Sequence, residues 1–357
     1  MTKILLKYSL ILLGFTLFYP AINAQQVIIS DVAEFNLAVA GAVDINADLI
    51  NNSPNALFLG TFTFSGTTEH EIGGTAPVEF TGLSINNSAG IRLSTDISVT
   101  GNLDLINGTI NLLNSNVNIG SNATLSGSFS PTVMVIADGA GQFKREISGT
   151  GTYIFPVGDT TGLVDYSPVS LTFNSGTFTN AVVGVNLKNE KHPENTSVND
   201  YLNKYWTISA TGLTDFKCDA VFTYSNEDII GTEANIWGAQ WDGNQWNMLN
   251  QASLNQFNGT MSSFSDFTAG EKKVLSVDDE LSADDVEIVV KGNNIVIRSN
   301  AVKLERAEVY NLSGQLIYSK DLAKSAVNEL NFNARANYYI VKVYSDKQSI
   351  SKKIFKN

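Results

Sequence analysis

The sequence has one cysteine and two histidines, which is little for a chain of 357 residues. A single cysteine, Cys218, excludes an internal disulfide, and we expect it to be a small buried apolar side chain. His70 and His192 are far apart. A histidine between carboxylates, as in Glu69-His70-Glu71, more often lies on a solvated strand face than in a metal site. The motifs of serine hydrolases, phosphate-binding loops and zinc proteases are also absent from the sequence. We therefore predict no catalytic residues, no metal ligands and no cofactor.

Charged residues are scarce as well, at 16% of the chain, and acidic side chains dominate, giving a formal net charge of −12. An acidic protein lacks the basic surface with which duplex binders release counterions, so we expect no nucleic acid partner. The charge is uneven, because from residue 286 to the end Lys and Arg outnumber Asp and Glu by about two to one. This change of sign predicts a domain boundary. Asn, Ser, Thr and Gly replace the missing charges, which is typical of short strands joined by turns.

The only marked hydrophobic run lies at the start of the chain and is short. Two lysines precede an apolar stretch over residues 8–19, which Pro20 ends, and Ala24 provides a small residue at a cleavage point. This order predicts a secretory signal peptide over residues 1–24. An uncleaved anchor is the alternative, but a membrane span needs about 20 apolar residues.

A regular pattern of apolar-x-apolar triplets begins at Leu83. Both apolar side chains of a triplet point to one face, because side chains alternate along a strand. The triplets recur with a period of about 20 residues and three short strands per turn, which is typical of a parallel β-helix. The triplets are Leu83/Ile85, Ile91/Leu93, Ile97/Val99, Leu103/Leu105, Ile110/Leu112, Val117/Ile119 and Ala123/Leu125.

The period also predicts which residues of successive coils align. Leu83, Leu103 and Ala123 should be equivalent, as should the pairs Ile91 with Ile110 and Ile97 with Val117. Asparagine tolerates left-handed backbone, so we expect corners at four asparagines. These are Asn86, Asn87, Asn107 and Asn114.

Residues 25–141 are therefore predicted to form a short β-helix-like repeat region, with an antiparallel sandwich of short strands as the alternative. The repeat contains Leu83-Ser-Ile-Asn-Asn-Ser-Ala-Gly followed by Val99-Thr-Gly-Asn-Leu-Asp-Leu. Over residues 60–128 it resembles the repeats of surface adhesin-like proteins.

Residues 142–270 contain longer, more aromatic segments and are predicted to form a β-sandwich. Four strands are expected over residues 169–173, 182–187, 205–209 and 220–224. Residues 237–241 and 245–249 should form a hairpin, because Asp242-Gly243 supplies the positive φ of a tight turn.

Tryptophans in this hairpin suggest a carbohydrate platform, because flat aromatic faces stack on sugar rings. The candidate platform residues are Trp237, Trp241 and Trp246, of which Trp241 and Trp246 could pair across the strands. The alternative is that these side chains, with Trp206, fill the core or brace the hairpin.

An acidic linker over residues 271–285 precedes a compact pattern of about seven strands over residues 286–357, as in a small Ig-like sandwich. Three motifs stand out: Glu308-Val-Tyr-Asn-Leu-Ser-Gly-Gln-Leu-Ile, Tyr338-Tyr-Ile-Val-Lys-Val and Lys352-Lys-Ile-Phe-Lys. In order, spacing and terminal position they resemble the type IX secretion C-terminal sorting domain. The matching positions are Tyr310, Asn311, Leu312, Gly314, Gln315, Tyr339, Val341, Val343, Lys352 and Lys353.

The match is not complete. Asn337 stands where that family has glycine, and we expect it to tolerate left-handed backbone; an early Asn-Pro is also missing, although Asn293-Asn294 lies nearby. The resemblance implies export through the periplasm by outer-membrane secretion machinery. The passenger would then be extracellular, either released or attached to surface lipopolysaccharide.

The leading hypothesis is a secreted or cell-surface repeat protein with an adhesive or structural role, whose partners are glycans or other cells. The alternative is a polysaccharide-active enzyme or carbohydrate-binding module, in which paired carboxylates act on a glycosidic bond. Acids clustered beside Arg92 on one coil face would favour the alternative. Acids scattered over the surface would favour the leading hypothesis.

Overall fold

The computed structural model describes residues 3–6, 10–11, 21–22, 26–30, 34–275, 286–299, 304–323, 325–345 and 349–356. The protein is nearly all β, with 64% strand and 3% helix, which confirms the predicted fold class. The chain divides into two compact units, Met1–Leu275 and Ser276–Asn357. The division falls within the predicted acidic linker.

The first unit begins with a repeat of short and long strands that stack in parallel as a β-solenoid of about six turns. Each complete turn contributes one short strand to one sheet and one longer, bent strand to a second sheet. The strands up to residue 159 are β1 (Lys3–Leu6), β2 (Leu10–Ile11), β3 (Ala21–Ile22), β4 (Gln26–Ile29), β5 (Phe35–Ile45), β6 (Asp48–Asn51), β7 (Ala56–Gly66), β8 (His70–Gly74), β9 (Val78–Asn87), β10 (Ile91–Leu93), β11 (Ile97–Asn107), β12 (Ile110–Asn111), β13 (Val117–Ile119), β14 (Thr124–Gly127), β15 (Val135–Ile136), β16 (Phe143–Ile147), β17 (Gly151–Phe155) and β18 (Val157–Asp159).

The predicted signal peptide lies mostly outside the described residues, including the expected cut after Ala24. The parts that are described, β1, β2 and β3, pair in parallel with β4 and β5. Cleavage at that point stays a prediction.

The predicted coil alignment holds for most of the repeat. Leu83 lies opposite Leu103, and Ile97 lies opposite Val117. Ile91 likewise lies opposite Ile110. The expectation for Ala123 is wrong, because Leu125 lies opposite Leu103. The corner between β13 and β14 holds two more residues than the equivalent corner of β11, which shifts the phase by one strand period.

The aligned side chains form one continuous apolar core. Both residues of each triplet from Leu83/Ile85 to Val117/Ile119 are almost fully buried. Phe58 anchors an aromatic stack, with ring centroids 5.0 Å from Phe62 and 5.0 Å from Phe80. Because burial of one large apolar side chain contributes about 1.5–3 kcal/mol, the stacked core is the main source of stability of the solenoid.

Asparagines act at the corners by hydrogen bonding and not by left-handed backbone. Asn87 is fully buried; its Nδ2 donates to Thr68 O at 2.7 Å and its Oδ1 accepts the Ala89 N–H at 3.1 Å. The positive φ lies on a neighbour of the asparagine, at +90° for Gly108 beside Asn107 and at +50° for Leu113 beside Asn114. The expected left-handed backbone at these asparagines is therefore wrong; at Gly108 the absence of a Cβ removes the clash. Asn86, Asn107 and Asn114 are exposed.

The predicted boundary at residues 141/142 does not separate two compact units. Val117 in β13 lies opposite Phe143 in β16, and Val135 in β15 lies opposite Val157 in β18, so coil stacking continues beyond it. One hydrophobic core runs from Val27 to Ala269.

The remaining strands of the first unit pair antiparallel. They are β19 (Asp165–Tyr166), β20 (Val169–Lys188), β21 (Tyr201–Leu202), β22 (Tyr205–Thr223), β23 (Ile229–Ile230), β24 (Ile236–Trp241), β25 (Trp246–Gln251), β26 (Gln256–Met261) and β27 (Asp266–Glu271). β19 ends the short-strand sheet, and the others extend the second solenoid sheet. Two 3₁₀ helices, Asn226–Asp228 and Glu233–Asn235, and the short helix α1 (Lys272–Leu275) complete the unit.

Two of these strands are longer than predicted. β20 joins the two strands expected over residues 169–173 and 182–187, and β22 joins those expected over 205–209 and 220–224. The polar segments between them pair with each other through irregular register, as Thr177 does with Thr214. The cross-strand partner satisfies their backbone groups, so a turn-rich composition does not end the strands.

The described residues of the second unit form seven strands, as predicted. They are β28 (Val286–Lys291), β29 (Asn294–Ser299), β30 (Arg306–Tyr310), β31 (Leu316–Asp321), β32 (Val327–Asn331), β33 (Asn337–Tyr344) and β34 (Ser349–Lys356). They form a three-stranded sheet, β28-β29-β32, and a four-stranded sheet, β31-β30-β33-β34. The two sheets enclose a separate core that includes Ile295, Val309 and Val341. Among the described residues, no helix is long and apolar enough to cross a membrane.

Candidate functional site

Arg92 lies at the centre of a group of polar side chains on the short-strand sheet of the solenoid. Its guanidinium donates to Glu69 Oε2 at 2.9 Å and to Glu71 Oε2 at 2.6 Å. Ser94 Oγ donates to the other oxygen of Glu71. These four residues are called the Arg92 cluster. The parallel register brings them together, because Arg92 in β10 lies directly opposite Glu71 in β8.

The Arg92 cluster meets the criterion of acids gathered beside Arg92 on one coil face. Its electrostatics oppose acid catalysis, however. The Ser94 hydroxyl has the largest effect on the pKa of Glu71 and lowers it; burial, which comes next, raises it, and the Arg92 guanidinium lowers it further, so the net shift is downward. Glycosidases need one carboxylic acid with a raised pKa as proton donor. The cluster presents ionised carboxylates paired with a cation, an arrangement that can bind hydroxyl groups.

His70 lies between the two glutamates in sequence but points the other way. It is 9% exposed, and its ring nitrogens lie 2.9 Å from Asn46 Oδ1 and 3.5 Å from Asp48 Oδ1. The expectation of a solvated face therefore holds for Glu69 and is wrong for His70. Alternation along the strand turns the imidazole inward and the carboxylates outward. Among the described residues, no group of three or more His, Cys, Asp or Glu is arranged to hold a metal ion.

The long-strand sheet of the solenoid presents two adjacent columns of hydroxyl, amide and carboxylate groups. Thr63, Ser84, Asp104 and Ser126 align in one column, in which Ser84 is buried. Thr61, Asn102 and Thr124 belong to the next column, in which Gly82, between Thr61 and Asn102, adds no side chain. Ser126 Oγ donates to Asp104 Oδ1 at 2.8 Å, and Thr124 Oγ1 donates to Asn102 Oδ1 at 2.6 Å. These two columns are called the polar face. Neighbouring strands set its rows about 4.8 Å apart.

The predicted hairpin is confirmed, and its tryptophans lie in a small second core. Trp241 lies opposite Trp246, with ring centroids 5.1 Å apart and planes inclined by 53°. Asp242 Oδ1 accepts the Asn244 and Gln245 N–H groups in the turn. Trp246 is only 6% exposed and packs with Ala239 and Leu275.

The three candidate platform residues do not form one flat surface. Trp237 and Trp241 are half-buried, and Lys272 Nζ lies 4.7 Å from the centroid of the Trp237 ring. Trp206 belongs to the main core, where its Nε1 donates to Ser167 O at 2.9 Å. The arrangement therefore leaves Trp237 and Trp241 as the tryptophans with exposed ring area in this unit.

His192 packs against this tryptophan pair. It is 4% exposed, and its ring centroid lies 5.0 Å from that of Trp246. Its Nδ1 accepts the Glu194 N–H at 3.1 Å, so Nε2 is the nitrogen that donates to Asp266 Oδ2 at 3.2 Å. The contacts hold the loop that carries His192 against the hairpin.

The most unusual group of charges in the first unit was not predicted from the sequence. Lys204 is fully buried, and its Nζ lies 2.6 Å from Asp165 Oδ1, 2.9 Å from Asp228 Oδ2 and 2.9 Å from Asp159 Oδ2. The three aspartates are at most 6% exposed. These four residues are called the Lys204 cluster. They come from separate parts of the chain, and no spacing in the sequence joins them.

Burial dominates the electrostatics of the Lys204 cluster. It raises the pKa of Asp159 to about 6, against the opposing charge of Lys204. Burial raises the pKa of Asp228 as well. Three carboxylates and one ammonium leave excess negative charge in a buried site, which is costly, so the pKa values of Asp159 and Asp228 lie above the ordinary value.

The sorting-motif residues divide into a turn and a buried strand. Asn311 Oδ1 accepts the N–H groups of Ser313 at 3.1 Å and Gln315 at 2.9 Å, and Gly314 has a φ of +83°. Leu312 at the tip is 56% exposed. This turn joins β30, which ends at Tyr310, to β31.

The other motif residues lie on the last two strands. Val341 and Val343 are fully buried, and Tyr339 is nearly so, with its hydroxyl donating to Arg335 O at 3.0 Å. Lys352 and Lys353 are exposed on β34, where Lys353 Nζ lies 4.4 Å from the centroid of the Tyr338 ring. Asn337 begins β33 without a positive φ, so its place in the fold does not require left-handed backbone.

Residues 275–356 match a family model described as a domain of unknown function, DUF8694. The match covers the seven strands of the second unit. No curated protein and no solved structure matches the chain.

Proposed function

We propose that this chain is a secreted or cell-surface β-solenoid protein with an adhesive or structural role. The observation that carries the proposal is the polar face, in which Thr63, Asp104 and Ser126 stand in register on stacked coils. Because a stacked sheet already holds such groups in place, binding a ligand does not cost further side-chain entropy. A rigid row of hydroxyl, amide and carboxylate groups suits the hydroxyls of a glycan.

The distribution of acids supports a non-catalytic role. Asp159 and Asp228, the carboxylates with raised pKa values in the described part of the chain, are buried against Lys204. The acids of the Arg92 cluster are open to solvent but paired with the guanidinium. A buried proton donor and an exposed carboxylate pair in different places do not form the two-carboxylate arrangement of a glycosidase.

A carbohydrate-binding module is the second candidate, and the Arg92 cluster is the observation that favours it. Arginine and glutamate side chains held in fixed geometry can form charge-assisted hydrogen bonds to sugar hydroxyls or uronate groups. Arg92 is 42% exposed, so it is accessible to such a ligand.

We further propose that the second unit is the sorting domain of an outer-membrane export route. The resemblance of its motifs supports this, and so does the exposed turn that presents Leu312. The partners would be outer-membrane secretion machinery and, for an attached product, surface lipopolysaccharide.

The first experiment measures binding and cleavage by the full chain on a broad panel of polysaccharides. Binding without cleavage is the expected result. Asn102→Ala with Asp104→Ala should abolish binding if the polar face carries it, whereas Arg92→Ala should do so if the Arg92 cluster carries it. Lys217→Ala, on an exposed part of β22, is the control. Cleavage of any glycan would contradict the non-catalytic role.

The second experiment tests export. A chain that lacks residues 280–357 should accumulate in the periplasm, whereas the full chain should reach the surface or the medium. Surface arrival of the truncated chain would contradict the sorting proposal and leave the adhesive proposal untouched.

A further inference from the structure

Asp159 differs from the other two acids of the Lys204 cluster in how its oxygens are satisfied. Oδ1 accepts the Thr161 N–H at 3.1 Å and Asn189 Nδ2 at 3.2 Å. Oδ2 lies 2.9 Å from Lys204 Nζ, but the contact lacks hydrogen-bond geometry. Within the described part of the chain, this buried oxygen has no hydrogen-bond partner. A buried polar atom without a partner needs a physical explanation.

The same geometry places the parts of an acyl-transfer reaction around one carboxyl carbon. Lys204 provides an amine, and the carboxyl of Asp159 lies in contact with it. Two donors hold Oδ1, as an oxyanion hole holds the oxygen on which charge develops. Asp165 and Asp228 lie within proton-transfer distance of the amine, at 2.6 and 2.9 Å.

We propose that Lys204 Nζ condenses with the carboxyl group of Asp159 to form an intramolecular amide bond and one molecule of water. The site is a self-modification site that links β18, where the short-strand sheet reaches Asp159, to the start of β22. The proposal does not depend on the adhesive or export roles.

The protons and electrons balance within the Lys204 cluster. Lys204 starts as an ammonium and Asp159 as a neutral acid, which is the minor form at neutral pH for a pKa of about 6; Asp165 and Asp228 start as carboxylates. Asp165 takes one proton from the ammonium. The freed electron pair of Nζ attacks the Asp159 carboxyl carbon, and the C=O electrons move to Oδ1.

The tetrahedral intermediate then loses water. Asp228 takes a proton from the nitrogen, and Asp165 returns its proton to the Oδ2 hydroxyl, which leaves as water when its bond to carbon breaks. The products are the amide, one water molecule, ionised Asp165 and neutral Asp228. The net charge of the four groups is unchanged. Burial favours this outcome, because an amide replaces a buried ammonium.

The surroundings favour the reaction for two further reasons. Burial alone would lower the pKa of Lys204, but the three carboxylates raise it above the ordinary value, so the ammonium is the resting form. Lys204 is excluded from bulk water, so its amine is not held by hydration once it has lost a proton. Asp228 is fixed by Ser225, whose N–H donates to Oδ2 at 2.9 Å, and the backbone of Lys204 is held by Thr268, whose Oγ1 donates to Lys204 O at 2.7 Å. Reacting groups held in fixed contact gain a large effective concentration.

The test is mass spectrometry of the purified full chain under denaturing conditions. We expect a mass lower than that of the sequence by one water molecule. Trypsin should fail to cut after Lys204, and a branched peptide should join residues 146–188 to residues 192–217. The peptide map is essential, because a succinimide at Asp242-Gly243 would cause the same mass loss in a different peptide.

Variants distinguish the loss of the amide bond from a general effect of substitution on folding. Lys204→Arg keeps the charge but removes the nucleophile, so it should have the full sequence mass. Lys188→Met is the matched control, because Lys188 Nζ donates only to backbone carbonyls, those of Asp138 and Gly139, and the water loss should persist. Asp228→Asn should lower the linked fraction. A wild-type chain of full mass, cut normally after Lys204, would overturn the proposal whatever the variants do.

Discussion

Trp241 lies directly opposite Trp246 across the β24–β25 hairpin, yet only Trp246 is buried. The two side chains share a ring contact but face different surroundings. Trp246 packs on Ala239 and Leu275, and its Nε1 donates to Glu194 O at 3.2 Å. Trp246 therefore packs in the core, whereas Trp241 keeps exposed ring area, although the sequence predicts that both belong to one platform.

Trp246→Ala should lower the free energy of unfolding by about 3 kcal/mol, because it removes a large buried side chain and leaves a cavity. Trp237→Ala should cost clearly less, since that ring is half-buried. Urea unfolding of both variants gives the comparison. Equal losses would mean that Trp237 also has a core role.

Asn87→Ala should destabilise the solenoid by about 1–3 kcal/mol, because the Ala89 N–H and Thr68 O lose a buried partner. The adjacent Asn86 is exposed, so Asn86→Ala should change stability by less than about 0.5 kcal/mol. Thermal unfolding of the two variants is a matched test of the corner hydrogen bonds. A neutral Asn87→Ala would show that water replaces the side chain.

The pH dependence of stability should reveal the Arg92 cluster. The folded pKa of Glu71 is lowered, chiefly by the Ser94 hydroxyl and then by Arg92. A lowered carboxyl pKa contributes stability above the ordinary value of 4.5, and this is lost as the pH falls through the folded pKa. Glu71→Gln should therefore flatten the stability profile below about pH 4.5. Urea midpoints measured between acidic and neutral pH test this, and an unchanged profile would contradict it.

Leu312→Asp should separate recognition from folding in the second unit. Leu312 is exposed at the tip of the turn, so its replacement should leave the melting temperature unchanged. If export machinery reads this turn, surface arrival should fall. Gly314→Ala is the folding control, because a positive φ costs a residue with a Cβ about 1–2 kcal/mol. Normal export of Leu312→Asp would exclude the tip as a recognition point.

The positions of the strands could be predicted where they recur at the coil period of about 20 residues. The spacing of Ile91 from Ile110 and of Ile97 from Val117 is the spacing of coils, and parallel pairing follows from it. Leu125 departed from the pattern because a corner can gain residues without disturbing the strands that flank it. The two added residues preserve the alternation of apolar residues along the strands, so the length of the corner cannot be predicted from that alternation.

The Lys204 cluster was not predictable for a different reason. Polar segments that are typical of turns contain all three aspartates, Asp159, Asp165 and Asp228. Lys204 precedes a predicted strand, and no pattern in the sequence predicts that it is buried. Only the antiparallel return of the chain over the last coils brings these residues together. Polar residues are usually exposed, and whether a particular one is buried depends on how the chain is connected in the fold.

The end of the solenoid has a consequence for assembly. A parallel coil exposes unpaired backbone groups that can template the next strand, as in a fibril. Here β20 pairs antiparallel with β16 along the long-strand sheet, and β19, of two residues, ends the short-strand sheet beyond β18. Elongation by added coils is therefore blocked at this end, and molecules cannot stack head to tail through it.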